Sequence, residues 1–125
     1  MRWFVDAMNV IGSRPDGWWR DRHAAMKRLV GQLEDLAAAG EEITVFFERA
    51  PQPAIESGSV EIAHAPAAVP NAADDEIVRR LALEASPTEI TVVTSDRRLA
   101  GRARAIGARV EGSSEFRRRL RYEHR

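Results

Sequence analysis

The segment Asn71-Ala72-Ala73-Asp74-Asp75-Glu76-Ile77 opens a helix that hands over to the strand Ile90-Thr91-Val92-Val93-Thr94-Ser95-Asp96. Asn71 as N-cap and Asp74 at the third helical position read as a capping pair, and acids in a first turn complement the helix dipole. Ile77, Leu81 and Ala85 recur on one face with Val78 and Ala82 beside them, so the helix runs to about Ala85, where Ser86-Pro87 ends it. A helix followed at once by an apolar strand is half of a βαβ unit, and the same alternation continues on both sides.

Upstream, Trp3-Phe4-Val5 reads as a short buried strand ending at Asp6. Ala7 to Gly17 reads as a loop, without the Gly-Lys-Ser/Thr ending of a phosphate-cradling P-loop. A helix is expected from Trp18 or Trp19 to Ala39, carried by Met26, Leu29, Val30, Leu33, Leu36 and Ala37 and stopped by Gly40. Ile43-Thr44-Val45-Phe46-Phe47 is a second apolar strand, closed by Glu48-Arg49-Ala50-Pro51. Val60-Glu61-Ile62-Ala63-His64 alternates, which predicts an edge strand with one face exposed. Downstream come a helix from about Arg97 to Ile106, Gly107 as its stop, the strand Ala108-Arg109-Val110, and a last helix capped by Ser113 or Ser114 that turns Phe116 and Leu120 inward. Strands alternating with helices predict an α/β fold with a mostly parallel sheet and right-handed crossovers. In such a sheet the site lies beyond the carboxyl ends of the strands.

The 125 residues and 14.0 kDa predict one domain, 1–125. There is no cysteine, hence neither a disulfide nor a thiolate metal site. No apolar run reaches the roughly 20 residues of a membrane span, and no signal-type segment opens the chain. No membrane association and a cytoplasmic location are therefore expected. The formal charge is zero but unevenly spread: residues 1–96 hold 9 Lys+Arg against 16 Asp+Glu, residues 97–125 hold 10 Arg against 3 Glu. An arginine-rich end suits a polyanion, or simply solvates a helix exterior.

Asp6, Glu48 and Asp96 all stand at carboxyl ends of expected strands, and Asp74 and Asp75 open a helix. The loop 65–70 is read as carrying the chain to that helix from the sheet's opposite edge. If Asp6, Asp74 and Asp96 met within about 5 Å, each ionised pair would repel by about 3 kcal/mol at an effective dielectric near 20. A raised carboxyl pKa or a bound cation relieves that repulsion. Oxygen ligands without Cys or clustered His select a hard ion, Mg²⁺ or Mn²⁺, and the reaction they point to is metal-assisted phosphodiester hydrolysis. Acids at strand ends also serve plain solubility.

Val5-Asp6-Ala7-Met8-Asn9-Val10-Ile11-Gly12 resembles the opening motif of NYN domains, specifically the YacP-like branch of the PIN-like ribonuclease superfamily. Ala73-Asp74-Asp75-Glu76-Ile77, Val92-Val93-Thr94-Ser95-Asp96-Arg97 and Gly107-Ala108-Arg109-Val110 resemble three further motifs of that branch, in the same order. The resemblance implies a five-stranded parallel sheet of order 3-2-1-4-5 flanked by helices, and a divalent-metal-dependent endoribonuclease. Carried over by position, Asp6, Asp74 and Asp96 are the catalytic, metal-coordinating acids and Asp75 a close second. Asn9 orients the acids or contacts phosphate, and Ser95 bonds a carboxylate or a metal-bound water. Two departures stand out: Ala7 replaces the family's Gly, and Glu48 replaces an Asp at the end of the second strand.

Arg14, Arg20, Trp18 and Arg97 are the candidate RNA contacts. Adjacent Trp18 and Trp19 cannot both face a core, so one is free to stack on a base or to cover the core's rim. Arg117, Arg118, Arg119 and Arg121 form either an RNA-tracking surface or a solvated face, and His23, His64 and His124 are too scattered to assign to catalysis. Three functions remain open: a metal-dependent ribonuclease acting on RNA, free or within a ribosome or other RNA-containing assembly; a non-catalytic RNA-binding module; and another α/β phosphohydrolase. A haloacid-dehalogenase-type phosphatase is disfavoured, because Met8 stands where it needs a second Asp.

Overall fold

In the computed structural model, which describes residues 1–67 and 69–123, five parallel strands are crossed by helices on both faces. The strands are β1 (Arg2–Asp6), β2 (Glu42–Phe47), β3 (Glu61–His64), β4 (Ile90–Val93) and β5 (Arg109–Glu111), in the order β3-β2-β1-β4-β5. The helices are α1 (Ala7–Ile11), α2 (Arg22–Ala38), α3 (Ala72–Ala82), α4 (Arg97–Ile106) and α5 (Ser113–Glu123). The expected parallel sheet and strand order are therefore present. The alternating strand, β3, lies at an edge as its pattern predicts.

The two-residue period of β1 explains the layering. Trp3 and Val5 point into a core with α1, α2 and α5, where Leu29, Leu33, Phe47, Phe116 and Leu120 are buried. Phe4 points the other way, into a second core with Phe46, Ile77, Leu81, Val92 and Leu99 from β2, α3, β4 and α4. A central strand covered on both faces must be continuously apolar, as Trp3-Phe4-Val5 is. Asp6 continues the strand and ends it, which places a carboxylate where the apolar run stops.

Several local readings are corrected. Residues 7–11 form a helix rather than loop, because Ala7, Val10 and Ile11 are buried and α1's end is held from α5: Arg117 Nη1 donates to the carbonyls of Val10 (2.9 Å) and Ile11 (3.2 Å). Trp18–Arg20 form a separate 3-10 turn, since the Asp21 carboxylate accepts from Ala24 N–H at 3.0 Å and starts α2 afresh at Arg22. α3 ends at Ala82, and Ala85 is exposed; Pro87 drives the residue before it away from helical geometry and the chain leaves early. Asn71 stands at the N-cap of α3 in the left-handed region (φ 61°), and its side chain caps nothing. Asp75 N–H bonds the Asn71 carbonyl instead, at 3.1 Å. The loop before α3 needs no passage across the sheet, because β3 already ends at the carboxyl edge from which α3 departs.

Candidate functional site

The carboxyl ends of β1 and β4 are adjacent, with Val5 in register with Val93, so Asp6 and the Thr94-Ser95-Asp96 turn come together. Asp6 is only 6% exposed. Its pKa is pushed up to about 7, first by burial and then by the negative charges of Asp74 and Asp96. A hydrogen bond from Thr94 Oγ1 to Asp6 Oδ2 (3.0 Å) opposes this, as does the backbone N–H of Asn9. Burial also raises the Asp74 pKa, with the Asp96 and Asp75 charges adding to it and Arg102 and Arg98 opposing. Three acids from β1, α3 and the β4–α4 turn thus share one electrostatic neighbourhood. They do not close into a tight cage: among the described residues no group of three or more His, Cys, Asp or Glu side chains is gathered closely enough to hold a metal ion.

Asp96 does structural work as well. Its Oδ1 accepts from Leu99 N–H at 3.0 Å and caps α4. Its own N–H donates to Thr94 Oγ1 at 3.1 Å, so the buried Thr94 hydroxyl ties the backbone of one acid to the carboxylate of another. Thr94 was not singled out by its sequence context, although it sits inside the strand-end motif.

Asn9 is fixed by two bonds to its Oδ1, from Ser95 N–H (2.8 Å) and Ser113 Oγ (2.6 Å). Ser95 Oγ accepts from Ser113 N–H at 2.9 Å, so its hydroxyl oxygen braces the start of α5 and makes no hydrogen bond to a carboxylate among the described residues. Ser113, expected as a cap, is instead the first residue of α5, with its side chain fully buried against Asn9. With both acceptor positions of Asn9 used, its NH₂ group remains to donate.

The other candidates scatter along the same edge. Asp75 is exposed and paired with Arg102 at 2.8 Å. Glu48, exposed, stands on the rim of a cleft of about 670 Å³ beyond β2. Trp18 packs against the core and Trp19 is the exposed one, at 50%, with the Arg20 guanidinium 6.0 Å from its ring. Arg14, Arg20 and Arg97 are exposed and make no ion pair among the described residues. The C-terminal arginines are no uniform tracking surface: Arg117 holds α1, while Arg119 pairs with Glu111 at 2.8 Å and stacks over Trp3 at 4.9 Å. The side chain of Arg121 and the whole of His124 lie outside the described residues. His23 Nε2 donates to Pro53 O at 2.7 Å, and His64 Nδ1 donates to Ala65 O at 2.9 Å.

Comparison with known proteins gives two findings. A family model described as "YacP-like NYN domain" matches residues 3–125. Two crystal structures of Rae1 (YacP) from Bacillus subtilis, one of them a point mutant, are similar in fold. They superpose with TM-scores of 0.82 and 0.79 at 21% and 22% identity, over 99% of this chain and 75% and 76% of theirs. No curated protein matches by sequence.

Proposed function

The chain belongs to the YacP-like NYN domain family, a nuclease family of the PIN-like type, and from that premise we propose that it is a divalent-metal-dependent endoribonuclease of the cytoplasm. One observation carries the reading. Asp6 is buried at a strand end in the field of Asp74 and Asp96, with its pKa raised to about 7 even though Thr94 donates to it, so the hydrogen bond does not offset the cost of the buried charge. The donor set fits Mg²⁺ or Mn²⁺: it is all oxygen, and Mg²⁺ is commonly held through one or two carboxylates while keeping its waters, which suits acids that are near one another without forming a cage. Of Asp6, Asp74 and Asp96, one or two would ligate the ion and the remainder would act through its waters. Bound there, it would supply charge neutralisation at the acids and at the scissile phosphate.

The chain's own groups do the rest. Thr94 donates to Asp6 Oδ2 and so fixes the orientation of the carboxylate. Asn9, locked by Ser95 and Ser113, presents its NH₂ as a hydrogen-bond donor for a phosphate oxygen. RNA is the substrate, free or presented by a ribosome or other RNA-containing assembly, and unpaired Arg14, Arg20 and Arg97 offer its phosphates positive charge.

The open geometry of the acids favours a second reading, a non-catalytic RNA-binding module. Incubation of end-labelled single-stranded RNA with Mn²⁺ separates the two. The wild type is expected to cut, and Asp6→Asn and Asp96→Asn to bind RNA without cutting. Binding without cleavage by the wild type would move the chain to the second reading.

A further inference from the structure

We propose that the cleft beyond β2 is a nucleobase subsite, taking one base of single-stranded RNA next to the scissile phosphate; this rests on the ribonuclease reading. The cleft is lined by residues that stand close in sequence to two of the acids. Met8, on α1, follows Asp6 by two residues, and Asn71, at the N-cap of α3, precedes Asp74 by three. A strand whose phosphate sits at the acids therefore has a neighbouring base within reach of the cleft.

The lining suits a base. Phe47 is buried and closes the apolar floor, and half-buried Met8 and Met26 pack against the same core. Thioethers are polarisable and adapt to flat rings of different outline. His23 forms a wall whose ring is pinned, because Nε2 donates to Pro53 O. At about 670 Å³ the cleft is of ligand size.

Charge at the rim separates phosphate from base. Arg22 and Arg49 line the cleft and are exposed; neither has a carboxylate partner among the described residues, and Arg22 lies over the Trp18 ring at 5.3 Å. By contrast Arg2, Arg79, Arg80, Arg102 and Arg119 are all ion-paired. Two unpaired guanidiniums at the mouth suit the phosphates on either side of an inserted base. Glu48, on the same rim, repels a phosphate and accepts hydrogen bonds from base edges. Its departure from Asp thereby acquires a role in reading the base.

The protein's three methionines make the test direct. With ¹³C-methyl methionine, the full chain shows the signals of Met8, Met26 and the remote Met1. It is titrated with a 2′-O-methyl hexanucleotide, which cannot be cleaved, and with an abasic oligomer of equal charge. The proposal expects Met8 and Met26 to shift with the first oligomer only and Met1 to stay. It also expects Arg49→Ala to weaken binding of the first about tenfold, with the Met26 signal of the free variant unmoved as the check on its fold. Binding with Met8 and Met26 unmoved, or equal shifts from the abasic oligomer, would overturn the base subsite and leave the ribonuclease reading intact. No binding of either oligomer, together with no cleavage of RNA, would remove both.

Discussion

The two ends of the sheet treat charge in opposite ways. At the amino edge a group of charges is paired. The Arg2 guanidinium grips Glu84 through two hydrogen bonds of 3.0 and 2.9 Å and reaches Glu42 at 3.2 Å, the N-terminus meets Glu41, and Arg80 meets Glu61. At the carboxyl edge Asp6 is buried without a paired cation, Asp74 lies in the field of Asp96, and Arg22, Arg49 and Arg97 make no ion pair among the described residues. Such a gradient of satisfied to unsatisfied charge teaches where stability has been conceded, and binding of ion or RNA is the natural compensation. The edges also respond oppositely to acid.

Asp6 gives the largest expected effect. Its folded pKa, about 7, lies above the unfolded 3.8, so the folded state holds the proton more tightly. Relative to pH below 4, folding loses stability through the window from 4 to 7, and above it the loss is constant at about 4 kcal/mol. Asp6→Asn should therefore raise stability by up to about 4 kcal/mol at pH 8 without metal, and by little at pH 4. Urea midpoints at both pH values in EDTA check this. An equal gain at each pH would mean that Asp6 is not a stressed charge, and the contrast between the edges would fail.

Arg117 comes next, because it is the cation that crosses from α5 to hold the carboxyl edge. Burial lowers its pKa, with the charges of Arg14 and Arg28 acting the same way and Asp16 opposing. Arg117→Ala leaves the Ile11 carbonyl without its partner and should cost about 2 kcal/mol, read from the same urea curves. It should also loosen α1, seen as faster amide exchange at Asn9 and Val10. Loss of stability without that local loosening would assign Arg117 to packing alone.

This residue also shows why sequence reading stopped where it did. The strands were legible because Trp3-Phe4-Val5, Ile43–Phe47 and Ile90–Val93 are apolar enough to be buried on both faces, a property of neighbours in the chain. The ends of α4 were legible too, with Asp96 capping it and Gly107 in the left-handed region. α1 was not, since five residues with a Gly behind them carry little helical signal of their own, and here three of them are buried while a guanidinium 107 residues away from Val10 bonds the last carbonyls. Likewise the strand-end acids could be named, but Thr94 and Ser113 act through partners 88 and 104 residues distant, and no local pattern marks them.

The amino edge supplies the opposite sign. Hydrogen bonding to Arg2 holds the Glu84 carboxyl below its usual range. Its contribution is full above the unfolded pKa near 4.5 and is lost as pH falls further. Arg2→Ala should cost about 1 kcal/mol at pH 7 and less at pH 3. Thermal melts across that range give the slope, and a cost that grew on acidification would contradict the pairing.

The finest discrimination concerns Asp96, which belongs to both kinds of charge at once, as a satisfied helix cap and as one of the acids acting on Asp6. Asn caps helices about as well as Asp, whereas Ala cannot accept from Leu99 N–H, so Asp96→Ala should cost about 1 kcal/mol and Asp96→Asn only a few tenths. Both substitutions remove a negative charge that raises the Asp6 pKa, so both should lower the Asp6 midpoint from about 7, measured by ¹³C shifts of its carboxyl carbon in metal-free buffer. If only Ala moved that midpoint, the effect would come from a frayed α4 rather than from charge. Asp96 would then be a cap that happens to stand near the site, and the carboxyl edge would keep two electrostatically coupled acids in place of three.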